Sequence, residues 1–356
     1  MEEINNTVRQ PVSVIPDMEE RRQIRKKYNL TALIIIINMI IFNVLGNGAI
    51  IIACMILGGG FNFEAYRAGT EILYEHELLT AVLSFTPAVL SETTSVILGI
   101  KLLKINLRRL SSNREGYGGI TVVKLIILSL GMQFVLSVIV AIIDFLLSEN
   151  GLSSATVDLS PTTSLPANLL TVFYACLLGP VLEELLYRGV LLQSMRKYNE
   201  RFAIILSALI FGLMHQNYQQ FFVTFLVGIP LAVVTIKYNS LVPSIFAHIF
   251  LNTNAMLQTY LIQYFAPELF NASEEIDIAS ISGSAMALMI AILLVRFALL
   301  IAALAVGIVS LVKGGNMKVP TPAGKARAIP IFATAALWWV IFAAYLFLTF
   351  IRPFMA

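Results

Sequence analysis

Charge is what this sequence has least of. Only 13% of its 356 residues are Asp, Glu, Lys or Arg, about half the share of a soluble domain. Apolar residues make up 58% and the mean hydropathy is +0.83, which excludes an ordinary soluble core-and-surface fold and implies a polytopic membrane protein. Cysteine is nearly absent too. Cys54 and Cys176 both sit in apolar runs, so no disulfide framework is implied. There is no internal repeat and no low-complexity tract. A net charge of +3 says little by itself, and no nucleic-acid partner is expected of such a membrane protein. Histidine occurs three times, as His76, His215 and His248.

Basic residues are missing from every second loop, and that absence gives the topology. Residues 1–29 form a polar tail ending in Arg21, Arg22, Arg25, Lys26 and Lys27, expected on the cytoplasmic side of a cell membrane. The run Leu30 to Leu57 is too long for a removed signal peptide and lacks its cleavage signature, so it is expected to be a span. An acidic loop with exposed His76 and a short interfacial helix (Phe61, Tyr66, Leu73) follows on the outer side. Further spans are expected over about 78–100 and 120–147, then one that carries Gly179 to Gly189 and ends at Arg196, Lys197 and Arg201, then over about 202–215, 221–236, 241–264, 285–312 and 329–351. Basic residues stand after the second, fourth, sixth and eighth spans, while the outer loops with Glu149 and Asp158, and with Glu268, Glu274, Glu275 and Asp277, have none. The expected fold is an all-α bundle of eight or nine transmembrane spans, with membrane lipid around it. It divides into the tail 1–29, N-terminal spans 30–166, a central core 167–264 and C-terminal spans 265–356.

Ionisable residues inside spans each cost roughly 2.5–3.5 kcal/mol on insertion scales, so they mark use. The densest group is GPVLEELLYRG, Gly179 to Gly189. On an α-helix Glu184 and Arg188 are i, i+4 and face each other. Glu183 points about 100° away and is free to meet another helix. Glu92 and Lys124 lie at similar depths, near 14 Å from the basic side at about 1.5 Å per residue, and are expected to pair across neighbouring helices, with a substrate or proton path as the alternative. Arg296 lies nearer the outer face and is expected to snorkel.

Two more motifs share the depth of the first. FGLMH spaces Phe211 and His215 at i, i+4, and AHIFLN does the same for His248 and Asn252. Glu183 is thirteen residues from Arg196, His215 fourteen from Arg201 and His248 eleven from Lys237. These spacings correspond to depths of roughly 20, 21 and 17 Å. A carboxylate, two imidazoles and a carboxamide in one plane form a hydrolytic inventory. Glu and His can activate water, and His and Asn can donate to a tetrahedral oxyanion.

GPVLEELLYRG, FGLMH and SIFAHIFLN resemble the EExxxR, FxxxH and HxxxN motifs of the CPBP intramembrane proteases. That family includes the type II CAAX prenyl proteases and bacteriocin-processing or immunity proteins. The resemblance covers about residues 167–262. It implies an intramembrane endopeptidase acting on a membrane-associated peptide or lipidated protein, a prenylated CAAX or leader-peptide substrate. It further implies Glu183 and His215 as water activators, His248 and Asn252 as the oxyanion site, and Glu184 with Arg188 as supports. The spans outside it are left to set substrate choice.

Other protease classes find no footing, since HExxH, GxSG, YD and GxGD are all absent. Cys176, on the face of Glu183, would be an inert thiol in apolar surroundings. If a zinc ion is used, its ligands would be Glu183, His215 and His248. The histidines have no acidic neighbour in their own spans, so their second ring nitrogens would need backbone or amide oxygens. The expectation is therefore a Glu/His pair without obligatory metal. The alternative is a non-catalytic immunity or scaffold protein of the same fold. A transporter is disfavoured by the lack of paired broken helices.

Overall fold

The computed structural model describes residues 18–113, 116–150, 161–265, 281–313 and 332–352. The tail as far as residue 17, Arg114, Asp158, the acidic run Glu268 to Asp277, and Lys318, Lys325 and Arg327 lie outside the described residues. Those described form helices and no strand. In chain order they are α1 (Met18–Leu57), α2 (Phe63–Glu75), α3 (Glu77–Leu103), α4 (Leu107–Ser112), α5 (Gly119–Ser148), α6 (Leu165–Arg196), α7 (Glu200–Leu213), α8 (Tyr218–Tyr238), α9 (Val242–Phe265), α10 (Gly283–Lys313) and α11 (Ala336–Phe350).

Within the described residues each expected apolar stretch holds a helix, the last of them from Ala336, and α2 is the short helix expected near Tyr66. Six helices, α1, α3, α5, α6, α8 and most of α10, are long and apolar enough to cross a membrane. This is a multi-pass membrane protein. Along α10, Ile290, Leu293, Leu294, Ile301, Leu304 and Ile308 are exposed, a continuous apolar face suited to lipid and not to water. The remaining apolar helices fall outside that class: α7 and α11 are short, and α9 carries Ser244, His248, Asn252, Asn254, Gln258 and Gln263 along its length.

Asparagine starts four of the helices. The side chains of Asn62, Asn106, Asn199 and Asn217 accept from Ala65, Arg109, Phe202 and Gln220 N–H at 2.8, 3.0, 3.0 and 3.1 Å, each satisfying a donor the helix leaves free. The caps at Asn199 and Asn217 bound α7. Its fourteen residues span about 21 Å, short of the ~30 Å hydrocarbon core. Since α7 begins beside Arg196, Lys197 and Arg201, its far end stops inside the membrane. The chain turns there through Gln216, at a φ of 52°. Irregular backbone at that depth is tolerated where protein buries it or a cavity receives it.

The helix ladder is not α throughout. Ile41–Leu45 in α1, and Tyr174–Leu178 and Glu184–Leu191 in α6, take the wider π register, a feature that the α-helical spacing of the motif did not anticipate. Pro180 has no N–H to give. The carbonyl of Ala175, five residues back, takes Nδ2 of Asn252 instead, at 2.9 Å.

Helix α3 packs on α6 at a point without slack. A Cβ on Gly99 would stand 2.5 Å from both Cγ atoms of Val190, whose branched side chain has few alternatives. Gly99→Ala is expected to cost about 1–3 kcal/mol, read as a lower thermal midpoint of the detergent-solubilised protein. A midpoint equal to wild type would show that α3 is free to move off α6.

Two expectations for charged residues inside spans do not hold. Glu92 is buried and Lys124 exposed, with no ion pair between them. Glu92 faces inward to a cavity while Lys124 stays on the outer face of α5. Arg296 does not snorkel. It donates to Oε1 of Gln258 on α9, its Nε at 3.1 Å, and lies over the Phe134 ring at 5.8 Å, because a carboxamide beside it satisfies the guanidinium at less distance than the membrane face.

Candidate active site

Helix α6 carries the first motif into the bundle interior. Glu184 and Arg188 are fully buried, with Nη1 of Arg188 2.9 Å from Oε1 of Glu184. The guanidinium also lies over the Phe211 ring at 4.1 Å, a cation–π contact that strengthens where water is excluded. Phe211 is a spacer for the whole group. Its ring meets those of His215 and His248 edge-on, at centroid distances of 5.3 and 5.5 Å.

Both histidines are held by Nδ1. His215 Nδ1 is 2.9 Å from the Phe211 carbonyl oxygen, a bond that requires Nδ1–H and leaves Nε2 as an acceptor in the neutral ring. His248 Nδ1 is 3.1 Å from Oε1 of Glu184. The first anchor is a backbone oxygen, as the sequence suggests. The second is a carboxylate, because one oxygen of Glu184 serves Arg188 and His248 together. His248 Nε2 then lies 3.5 Å from Oε2 of Glu183, so the imidazole bridges the two adjacent glutamates.

A cavity of about 350 Å³ opens beside this group. Glu183, His215 and Asn252 line it together. His248 is not among the residues that line it and meets the site only through its contact with Glu183. Asn252 commits one N–H to Ala175 and keeps the other. Cys176 is buried, free and outside the lining. Three helices outside the motif region also contribute: Asn38 and Phe42 from α1, Phe85 and Glu92 from α3, and Tyr345 from α11. Of these, Glu92 carries the most chemistry, and the sequence held the signal. Its depth is close to that of the motif residues, but the expected pairing with Lys124 accounted for it.

The donor set can be tested for a metal. Among the described residues no three His, Cys, Asp or Glu side chains gather as ligands of one ion. Glu183, His215 and His248, as placed, do not fit a three-ligand zinc centre.

The bundle and its buried cavity define a multi-pass membrane protein with carboxylates, imidazoles and a carboxamide assembled within its apolar interior. Residues 165–254 match the family described as type II CAAX prenyl endopeptidase Rce1-like, the segment that runs from the first turn of α6 to just beyond Asn252. No curated protein and no solved structure matches the chain. At the level of the family, the match supports an intramembrane protease of the CAAX type.

Proposed function

We propose that this protein is an intramembrane endopeptidase that hydrolyses a membrane-associated peptide, a CAAX-type prenylated or leader-peptide substrate, with water activated by Glu183 and His215. The observation that carries this reading is the meeting of Glu183, His215 and Asn252 on one cavity, with His248 Nε2 at 3.5 Å from Glu183. Glu183 takes a proton from water, and Nε2 of His215 holds that water as an acceptor. The hydroxide adds to the peptide carbonyl. The second N–H of Asn252 donates to the oxyanion that forms, while His248, both of whose ring nitrogens face carboxylates, holds Glu183 and Glu184 in place rather than serving as the second oxyanion donor that the resemblance implies. Phe42, Phe85 and Met214 on the same cavity give an apolar substrate segment a wall. The basic loops favour a cytoplasmic N-terminus.

The test is cleavage, by protein purified in detergent, of a panel containing a prenylated CAAX peptide, its unprenylated twin and a leader peptide. Cleavage of the prenylated or leader peptide at one bond is expected. A panel left intact by folded protein would favour a non-catalytic immunity or scaffold protein.

A further inference from the structure

Glu92 is the one buried acid of the cavity that the reaction above does not use. Its side chain comes from α3, outside the segment matched to the family. The residue is 2% exposed, lines the cavity with Glu183, and its Oε2 is buried with no hydrogen-bond partner. It forms no ion pair among the described residues. The fixed cation nearby, Arg188, is already matched by Glu184, and both ring nitrogens of His248 face Glu183 and Glu184. The other titratable groups facing the cavity are His215 from the turn after α7, Tyr174 from α6 and Tyr345 from α11, and none brings a fixed positive charge. A third ionised carboxylate would stand uncompensated where water is scarce. Two carboxyls in one site whose surroundings differ in this way divide into an acid and a base.

We infer that Glu92 is the general acid of the reaction, resting protonated in the cavity and giving its proton to the amide nitrogen that leaves. This rests on the endopeptidase reading. Water loses one proton to Glu183 and its hydroxide forms the new C–O bond. When the tetrahedral adduct collapses, the C–N bond breaks, its electron pair goes to nitrogen, and nitrogen takes the proton of Glu92. The products are an acid and an amine, and the proton on Glu183 passes to Glu92 to restore both groups. No oxidant or further reactant enters. Because Glu92 arrives on a different helix, nitrogen is protonated without Glu183 leaving its contact with His248.

The test compares two substrates with the same acyl sequence. One is the peptide amide, whose nitrogen must be protonated to leave, and the other a p-nitrophenyl ester, whose phenolate leaves unaided. For Glu92→Gln, amide kcat is expected to fall by about 10²-fold or more, with KM and ester kcat held within a few-fold. Glu92→Asp, which retains the acid, is expected to lie between Glu92→Gln and wild type on the amide. Equal losses on amide and ester in both variants would mean that Glu92 only supports the fold, and unchanged amide turnover would mean that it has no part. Either result overturns the inference. A wild type that cleaves neither compound would instead remove the endopeptidase reading, and this inference with it.

Discussion

Glu183→Gln is expected to lower kcat on the cleaved peptide by about 10²–10⁴-fold, the span that a positioned general base contributes, with expression and size-exclusion profile like those of wild type. The substitution keeps the shape of a side chain that lines the cavity and removes only its capacity to take a proton. The contact with His248 Nε2 at 3.5 Å can persist through the amide oxygen, so the second imidazole should stay in place. KM is expected to move little, since the carboxylate acts on water and not on the peptide. Steady-state kinetics on purified variants read this directly. Full activity in Glu183→Gln would take the base away from this residue.

Glu184→Ala and Arg188→Ala are expected to act on folding first. Both residues are fully buried and lie 2.9 Å apart. Removing one member of a buried pair strands the other charge and costs about 3–5 kcal/mol, a large part of the stability of an ordinary domain. Glu184→Ala also deprives His248 of its Nδ1 acceptor. Its surviving folded fraction should therefore be less active per molecule than that of Arg188→Ala. Fluorescence-detected size exclusion gives the folded yield. The double variant that combines Glu184→Gln with Arg188→Met is expected to recover yield relative to the single alanine variants, because it leaves neither member of the pair as an unpaired charge. Normal yield from either alanine variant would contradict the holding role.

The chemistry of the site was legible because its cost is. Carboxylates, histidines and an arginine inside apolar runs are expensive, and counting from basic loop residues gives Glu183, His215 and His248 similar depths. The long helices were legible for a related reason, each being an extended apolar run between loops of known charge, whereas the six-residue α4 was not foreseen. Three other things were not legible, each for a physical reason. The π register of α6 follows from how the backbone is satisfied around Gly179 and Pro180, which side-chain periodicity does not encode. The sharing of one Glu184 oxygen between Arg188 and His248 depends on the approach of α9 to α6, a contact between residues 64 apart in sequence. For Glu92 and Arg296, counting along the helix gives a depth and leaves the azimuth open. One turns to the cavity and the other to Gln258, where the sequence suggested Lys124 and the membrane face. Spans outside the motif region were left open as determinants of substrate choice, and α1, α3 and α11 do line the cavity while α5 and α10 do not.

The measurement closest to the central claim is a single-turnover incubation of the purified wild-type protein with the prenylated peptide in heavy-oxygen water, with Glu183→Gln beside it and mass spectrometry of both product halves. The account expects one internal bond cut by the wild type, one heavy oxygen in the new carboxyl group, and intact peptide with the variant. Intact peptide with folded wild type, or the same labelled product at the same rate from Glu183→Gln, would contradict it.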